Sequence, residues 1–336
     1  MSEPSFRPPE PVDERRPIMQ IERLSTHYPV RGAFLSRRDK AVKAVDDVSL
    51  TLYEGETVGL VGESGCGKST LGRTIIRLEQ SSGGRIRFEG RDITHDPPKK
   101  LIPARMRMQM IFQDPYASLN PRMRIVDTLS EPLLVHRLVE RHEIRREVDR
   151  LLALVGLPSS AGNRYPHEFS GGQRQRIGIA RALSFRPKLL VCDEPVSALD
   201  VSIQAQILNL LQDLQEELTL TYLFIAHGIG AVKQISKRVA VMYLGKIVEL
   251  AGTEELFRRP RHPYTQLLLN AYPPPDPAYR RKQSRVILHG DIPSPANPPA
   301  GCRFHTRCPY AQQRCRVETP HLSEKEHAVA CHYPLA

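Results

Sequence analysis

Hydrophobic residues recur along the chain with two spacings, one typical of strands and one typical of helices. Segment 42–53 alternates apolar and polar residues over much of its length, which predicts a half-buried strand. The nearly all-apolar run in 188–195 predicts a strand that is covered on both faces of its sheet. Further strands are predicted at 57–62, 85–90, 221–227 and within 238–250.

Helical spacing lies between these strands. A helix is predicted directly after the glycine-rich turn that follows 57–62, and another over 201–218. A third, over 140–157, carries an apolar stripe with steps of 4, 3, 1 and 3 residues: Ile144, Val148, Leu151, Leu152 and Val155. Strands that alternate with helices over about 230 residues indicate an α/β fold with a parallel sheet.

Composition excludes several protein classes. Of the 336 residues, 40% are hydrophobic and 25% are charged, so disorder of the whole chain is excluded. The chain has no run of 18 or more apolar residues, and we expect no membrane-spanning helix. Its first residues lack the apolar stretch of a secretory signal, and we therefore expect the chain in the cytosol.

The 29 prolines divide the chain, with 6 in residues 1–30, 10 in 31–259 and 13 in 260–336. The Pro-rich and charged residues 1–17 predict a flexible arm. The periodic pattern predicts one main domain over 18–259, and the last 77 residues, 260–336, predict a separate, loop-rich unit.

Residues 62–70, GESGCGKST, fit the phosphate-loop pattern G-x-x-x-x-G-K-[ST] between a predicted strand and a predicted helix. Backbone N–H groups of such a loop cradle phosphates, and the helix N-terminus adds its positive dipole end. Lys68 is predicted to reach the β- and γ-phosphates, and Ser69 to ligate Mg²⁺. The other loop residues predicted to bind the nucleotide are Gly62, Glu63, Ser64, Gly65, Cys66, Gly67 and Thr70.

Two carboxylates, Asp193 and Glu194, follow the apolar strand in 188–195. An acidic residue at the tip of a buried parallel strand points to the crevice in which ligands bind. Asp193 is predicted to hold the Mg²⁺ shell, and Glu194 to polarise the attacking water.

A second candidate phosphate nest lies in 166–183, PHEFSGGQRQRIGIARAL. Ser170, Gly171, Gly172 and Gln173 stand at the start of a predicted helix. A chain with one phosphate loop has no need of two nests for one nucleotide. The second nest is therefore predicted to close over a nucleotide that is bound to another subunit.

This string resembles the signature of the ATP-binding cassette family, which is close to LSGGQ, with Phe169 in place of the leucine. Gln113 in MIFQDP matches the family's Q-loop, Asp200 in SALD its D-loop, and His227 in FIAH its switch histidine. Tyr28 stands where the family places an aromatic residue that stacks on adenine. The resemblance covers about residues 18–255.

The resemblance implies an ATPase with a phosphate-loop core sheet, an antiparallel β subdomain and a helical subdomain at about 114–185 that receives a helix of a permease. Two cassettes would sandwich two ATP molecules head to tail. Glu194 would position water, His227 would contact the γ-phosphate, and Gln113 would sense Mg²⁺ and water. One departure is Gly228, where the family usually has Asp, and it predicts a more flexible loop and slower hydrolysis.

Longer segments resemble the dipeptide and oligopeptide import ATPases: HYPV, QDPYASLNPRM, EPVSALDVSIQAQILNLL, RHPYTQLLL and DIPSPANPPAGCRFHTRCP. This implies a peripheral subunit at the cytoplasmic face of the inner membrane. It would pair with a second, usually different, ATPase chain and with two permease subunits fed by an extracytoplasmic solute-binding protein. Nickel chelates, glutathione and sugars use similar machinery, so the solute stays open.

Four cysteines, Cys302, Cys308, Cys315 and Cys331, stand within 30 residues of the tail. Thiolates in this number suit Zn²⁺ or an iron–sulfur cluster. The absence of C-x₂₋₄-C spacing favours a 4Fe–4S cluster over zinc, and the resemblance points the same way. Reduced structural thiols and disulfides stay open as alternatives.

The net charge of +11 raises the question of nucleic-acid binding. The basic residues are dispersed, apart from clusters at 31–40, 99–107 and 280–285, and they predict a solvated surface or attraction to lipid headgroups rather than a nucleic-acid partner. Cassette ATPases of the DNA-repair or translation type carry long insertions or two cassettes, and this chain has neither. A regulatory subunit that does not hydrolyse ATP is the remaining alternative.

Overall fold

The computed structural model describes residues 16–29, 41–114, 118–271, 292–323 and 325–336. Almost all of the predicted arm and the basic clusters at 31–40 and 280–285 lie outside the described residues.

Eleven strands are described, in this order: β1 Pro17–Pro29, β2 Ala41–Tyr53, β3 Thr57–Val61, β4 Gly83–Phe88, β5 Arg91–Asp92, β6 Met108–Ile111, β7 Leu189–Asp193, β8 Thr221–Ile225, β9 Arg238–Tyr243, β10 Lys246–Gly252 and β11 Ala328–Val329. The described α-helices are α1 Lys68–Ile75, α2 Pro98–Arg107, α3 Ile125–Val135, α4 Ile144–Leu154, α5 Gly171–Leu183, α6 Val201–Leu218, α7 Ile229–Ile235, α8 Thr253–Arg258, α9 Pro263–Asn270 and α10 Gln313–Val317.

The central sheet has seven strands in the order β11-β10-β9-β3-β8-β7-β6. Its strands from β9 to β6 are parallel, and β10 and β11 join the β9 edge antiparallel. Every residue of β3, β7 and β8 is buried, as the apolar run in 188–195 predicted for a strand covered on both faces. The predicted α/β class with a parallel sheet is confirmed.

A second sheet of four antiparallel strands, in the order β2-β1-β4-β5, covers one face of the molecule. The second half of β2 alternates between buried and more exposed residues, which confirms the half-buried strand predicted over 42–53. This sheet shares a hydrophobic core with α1 and the central strands, and Leu52, Leu71 and Ile225 are three of its members.

A group of helices lies in the chain between β6 and β7. Val148, Leu151 and Leu152 of α4 are fully buried, as the apolar stripe predicted, and α3, α4 and α5 contact one another. This part of the molecule corresponds to the helical subdomain expected at about 114–185, whose boundaries remain a prediction.

The tail joins the central core. Strand β11 pairs with β10 at the edge of the central sheet. Tyr264, Leu267 and Phe304 belong to the same hydrophobic cluster as the central strands. Residues on both sides of the predicted boundary at 259 and 260 therefore share one core, and the division into units remains a prediction. Within the described part of the chain, no helix combines the length and apolar character that crossing a bilayer requires.

Candidate active site

The loop between β3 and α1 is shaped by glycine. Gly67, which precedes α1, has φ of 107°, and a β-carbon there would lie 1.9 Å from the carbonyl oxygen of Ala44. Only glycine tolerates both conditions. The ammonium of Lys68 is buried beneath the loop and donates hydrogen bonds to the carbonyl oxygens of Gly62 at 2.9 Å and Glu63 at 3.1 Å. The loop therefore holds a positive charge at its centre.

Two predicted Mg²⁺ ligands contact each other beside this loop. The Ser69 hydroxyl donates a hydrogen bond of 2.7 Å to Oδ1 of Asp193, which ends β7 and is 1% exposed. Magnesium prefers oxygen ligands and commonly takes only one or two from the protein, with phosphates and water supplying the rest. The donor set of these two side chains fits that metal.

Glu194 lies at the centre of the polar side chains. Its backbone φ is 49°, unusual for a residue other than glycine, and its N–H is bonded to the carbonyl of Ile225 at 2.9 Å. Its carboxylate accepts a hydrogen bond of 2.8 Å from Nε2 of Gln113 and lies 2.9 Å from Nε2 of His227. Because Gln113 points its amide nitrogen to Glu194, its carbonyl oxygen is the end left for a metal ion or water.

His227 also contacts the phosphate loop, with its Nε2 lying 3.2 Å from the Ser64 hydroxyl. A cavity of about 160 Å³ joins these elements. Residues of the phosphate loop and of α1, residues after β7 and β8, residues of β2 and one residue of the tail line it: Val42, Ala44, Gly65, Gly67, Lys68, Ser69, Thr70, Glu194, His227 and Pro295. The structure thus brings the predicted phosphate loop, the predicted base and the predicted switch histidine to one cavity.

Tyr28 lies near this cavity through its strand partner. It stands at the end of β1, is 37% exposed, and pairs with Val42, which lines the cavity. An exposed aromatic ring at this position is available for stacking on a base.

The predicted second nest lies elsewhere. None of its residues, Ser170, Gly171, Gly172 and Gln173, and no atom of Asp200 lines this cavity within the part of the chain that the structure describes. Ser170 caps α5 through a reciprocal pair of hydrogen bonds with Gln173 of 3.1 and 3.4 Å.

Close packing explains why residue 172 is glycine. A β-carbon on Gly172 would lie 2.5 Å from Cγ2 of Ile203, and one on Gly171 would lie 3.3 Å from Leu199. The predicted nest therefore packs against the segment that carries Asp200, at the start of α6.

The four tail cysteines line one small cavity, together with His262 and Phe304. All six cysteines of the chain are free thiols, and burial raises the pKa of Cys302 and Cys308 to about 11. Among the described residues, however, no three His, Cys, Asp or Glu side chains are placed to hold a metal ion.

The structure therefore does not support the predicted 4Fe–4S cluster. The cysteine segments are held instead by backbone bonds and apolar packing, since the Cys302 N–H donates to the Cys315 carbonyl at 2.8 Å and the buried ring of Phe304 lies two residues after Cys302.

Sequence reasoning missed three tail residues at the phosphate loop: Tyr264, Pro295 and Arg307. Tyr264 and Arg307 bond Glu63 across 201 and 244 residues of sequence, and no local spacing reports such a contact. Pro295 lies in the tail segment that resembles import ATPases, but nothing in the sequence of that segment indicates a nucleotide pocket.

Comparisons with known proteins agree with this site. Residues 45–197 match the ABC transporter family, and residues 248–315 match the oligopeptide/dipeptide transporter C-terminal region. The chain is 52% identical to the oligopeptide transport ATP-binding protein AppF of Bacillus subtilis over 318 residues, which cover 94% of this chain and 97% of that protein. It is 50% identical to OppF of Escherichia coli over 324 residues, 95% of this chain and 97% of that one.

Two solved structures share the fold. A dimeric post-hydrolysis state of the ATP-binding cassette MJ0796, bound to ADP and Pi, superposes with a TM-score of 0.62 at 25% identity and covers 70% of this chain and 98% of that one. The structure of cbiO1 from Clostridium perfringens gives a TM-score of 0.63 at 28% identity, with 72% and 91% covered. The predicted family is confirmed: the chain belongs to the ATP-binding proteins of ABC transporters, in the oligopeptide/dipeptide transporter group.

Proposed function

We propose that this chain hydrolyses ATP and thereby powers the import of peptides through a separate membrane permease. The observation that carries the proposal is the single cavity at which Lys68, Glu194 and His227 meet. Identity of 50–52% to oligopeptide transport ATP-binding proteins, over nearly their whole length, supports ATP-driven peptide import.

In this mechanism the phosphate loop binds and orients the triphosphate. Backbone N–H groups of the loop and the N-terminus of α1 face the phosphates, and Lys68 exchanges its two loop carbonyls for β- and γ-phosphate oxygens. Bound Mg²⁺ would supply charge neutralisation, held by Ser69 and Asp193 with Gln113 beside them. Tyr28 would stack on the adenine.

Glu194 serves as the general base. Its carboxylate accepts the proton of the attacking water, and the amide of Gln113 and the imidazole of His227 hold that carboxylate in place. His227 would then contact the γ-phosphate from the mouth of the cavity. Gly228 has φ of −82° and ψ of 116°, which most residues adopt, so its backbone does not require glycine.

A second ATPase subunit completes the site. The nest of Ser170, Gly171 and Gly172 starts α5 away from the chain's own cavity. The Ser170 N–H donates to Gln173, and the N–H groups of Gly171 and Gly172 suit a phosphate that is bound by a partner. We propose a head-to-tail dimer, usually formed by two different chains, with Gln173 and Asp200 at the shared surface. ATP would then be held from both sides, and hydrolysis would release the two subunits.

An apolar groove of about 430 Å³ between the central sheet and the helices after β6 is the proposed docking site for a helix of the permease. Leu78, Phe112 and Val135 line it and are 38–68% exposed, while Glu131, Arg105 and Arg181 give it a polar rim. Closure of the ATPase dimer would move this groove and so drive the permease. The proposed place of the chain is peripheral, at the cytoplasmic face of the membrane.

A 4Fe–4S cluster in the tail stays a proposal that rests only on the four thiols lining one cavity, because among the described residues no three His, Cys, Asp or Glu side chains are placed to hold a metal ion. No step of the mechanism runs through it. Iron analysis and the visible spectrum after anaerobic purification test it, and a colourless, iron-free protein that keeps its fold excludes it.

The experiment that tests the function is reconstitution with the permease subunits and the solute-binding protein in liposomes. Peptide uptake should depend on ATP and should stop in the Lys68→Ala variant. Nickel chelates, glutathione and sugars, offered in the same assay, test the alternative solutes. A wild-type complex that transports none of them and does not hydrolyse ATP would favour a regulatory role.

A further inference from the structure

The phosphate-loop residue Glu63 is fixed at its backbone and at its side chain, and the tail supplies one contact to each. Its N–H donates a hydrogen bond of 2.9 Å to the hydroxyl of Tyr264, on α9. Its carbonyl oxygen accepts from Lys68 at 3.1 Å. Its carboxylate accepts two hydrogen bonds from the guanidinium of Arg307.

The pair of Arg307 and Glu63 is bidentate. The two nitrogen–oxygen distances are 2.7 and 2.9 Å, and a third, longer contact of 3.4 Å reaches the hydroxyl of Tyr243. The side chain of Arg307 is only 5% exposed and that of Glu63 is 22% exposed. A buried fork of this kind fixes geometry as well as charge, and loss of one partner leaves the other unpaired.

The segment that carries Arg307 is itself anchored. Arg303, four residues earlier, donates to the carbonyl of Leu244 and to the carboxylate of Asp46 on β2. Burial acts to raise the pKa of Asp46, but the charges of Arg303, Lys246 and Lys43 outweigh it and the pKa is lowered. Arg307 therefore holds the loop from a segment that is itself bonded to Leu244 and to β2.

The tail also forms one wall of the nucleotide cavity. The carbonyl of Pro295 accepts a hydrogen bond of 3.1 Å from the N–H of Lys43, and Pro295 faces the cavity beside Val42 and Ala44. The tail thus contacts the phosphate loop through Arg307 and lines the nucleotide cavity through Pro295.

We propose that Arg307 is a positioning residue of the ATP site, which holds the phosphate loop in its binding shape through Glu63. The inference rests on the proposed ATP site and adds the tail to it. Arg307 contacts neither Glu194 nor Gln113 among the interactions described for these residues, so its loss should weaken nucleotide binding and leave the chemical step nearly unchanged.

The test uses the full chain and compares three substitutions. Arg307→Met removes the fork at similar volume, and Arg307→Lys keeps the charge but supplies no planar fork. Arg314→Met is the matched control, because Arg314 forms an equally bidentate pair with Glu318 of 2.6 and 2.8 Å on the exposed side of the same tail. KM for ATP and kcat are measured for each, together with the affinity for a fluorescent ATP analogue.

We expect Arg307→Met to raise KM by about tenfold, with kcat within about twofold, Arg307→Lys to fall between, and Arg314→Met to equal the wild type. If Arg307→Met fails to fold, Glu63→Gln and Tyr264→Phe probe the same contacts from the other side, and each should raise KM. An unchanged KM in the folded variants, or a loss of kcat alone, overturns the proposal.

The two hypotheses fail differently. Wild-type protein that, assembled with its partner subunits, neither binds nor hydrolyses ATP contradicts the proposed function. If the wild-type protein hydrolyses ATP, the Lys68→Ala variant does not, and the Arg307→Met variant has the same KM and kcat as the wild type, only the role of Arg307 is contradicted.

Discussion

Oε1 of Glu194 lies 2.9 Å from Nε2 of His227, although the two residues follow different strands of the central sheet. Parallel β7 and β8 are neighbours, so their carboxyl ends bring the proposed base Glu194 and the proposed switch histidine His227 together at one edge. The side-chain amide of Gln113, after β6, reaches the same carboxylate from the other neighbour. The topology of the sheet therefore brings together the three side chains to which we assign the chemical step.

The first prediction concerns Glu194→Gln. The amide has nearly the same volume but cannot accept a proton, so we expect kcat for ATP to fall by about 10²–10⁴-fold. ATP binding should change little, because the loop and Lys68 are untouched. Gel filtration with ATP should show the closed dimer accumulate. Unchanged ATP turnover by this variant, reconstituted with its partners, would rule out Glu194 as the base.

The second prediction concerns the signature. Gly171→Asp places a negative charge in the first turn of α5, where the helix dipole favours it, so the fold should persist. The same charge repels a phosphate that approaches from a partner. We expect normal binding of ATP to the isolated chain and loss of ATPase activity in the dimer. Loss of ATP affinity in the isolated chain would mean that the nest serves the chain's own nucleotide.

The third prediction concerns the docking groove. Val135 ends α3 and is 68% exposed, so Val135→Glu should leave basal ATPase activity intact. A charge in the groove should weaken docking and abolish stimulation by the permease in proteoliposomes. Val317→Glu, at a residue that is 70% exposed on α10 in the tail, is the control and should retain stimulation. Equal stimulation of both variants would place the docking site elsewhere.

Local chemistry allowed much of the site to be predicted. The phosphate loop needs glycine at 67 because the carbonyl of Ala44 fills the space of a side chain, and Lys68 must follow it at the helix start. Such constraints act between residues that are close in the sequence, so they produce a fixed motif spacing that can be recognised from the sequence alone. The strands around the site could also be predicted, since a strand that is buried on both faces has a run of apolar residues in its sequence, as β7 does.

The contacts of the tail could not be predicted in this way. Arg307 and Glu63 are 244 residues apart in the sequence, and no local sequence pattern around Arg307 predicts that it pairs with a distant carboxylate. The cysteine spacing indicated a metal, yet four thiols meeting at one cavity do not by themselves form a ligand set. Tertiary packing determines both the contact of Arg307 with Glu63 and the arrangement of the four thiols. Such packing produces no periodic pattern in the sequence from which it could be predicted.

The last prediction concerns pH and His262, which is buried between the tail and the central core. Burial lowers the pKa of His262 to about 3. The ring Nδ1 accepts a hydrogen bond of 3.0 Å from the backbone N–H of Tyr264, and the backbone N–H of His262 donates to the buried carboxylate of Glu249. The folded protein therefore keeps the imidazole neutral.

Since the unfolded chain protonates this group near pH 6.5, the unfolded state binds more protons than the folded state between about pH 6.5 and 3, and stability falls as the pH is lowered through that window. His262→Asn keeps an acceptor for the Tyr264 N–H and removes the titration. The backbone bond to Glu249 is kept in both proteins, so its contribution cancels in the comparison. We expect the free energy of unfolding of the wild type, measured with urea at pH 7, 6 and 5, to fall by up to about 1.4 kcal/mol per pH unit more than that of the variant. Parallel pH dependences of the two proteins would show that His262 is protonated in the folded state as readily as in the unfolded chain.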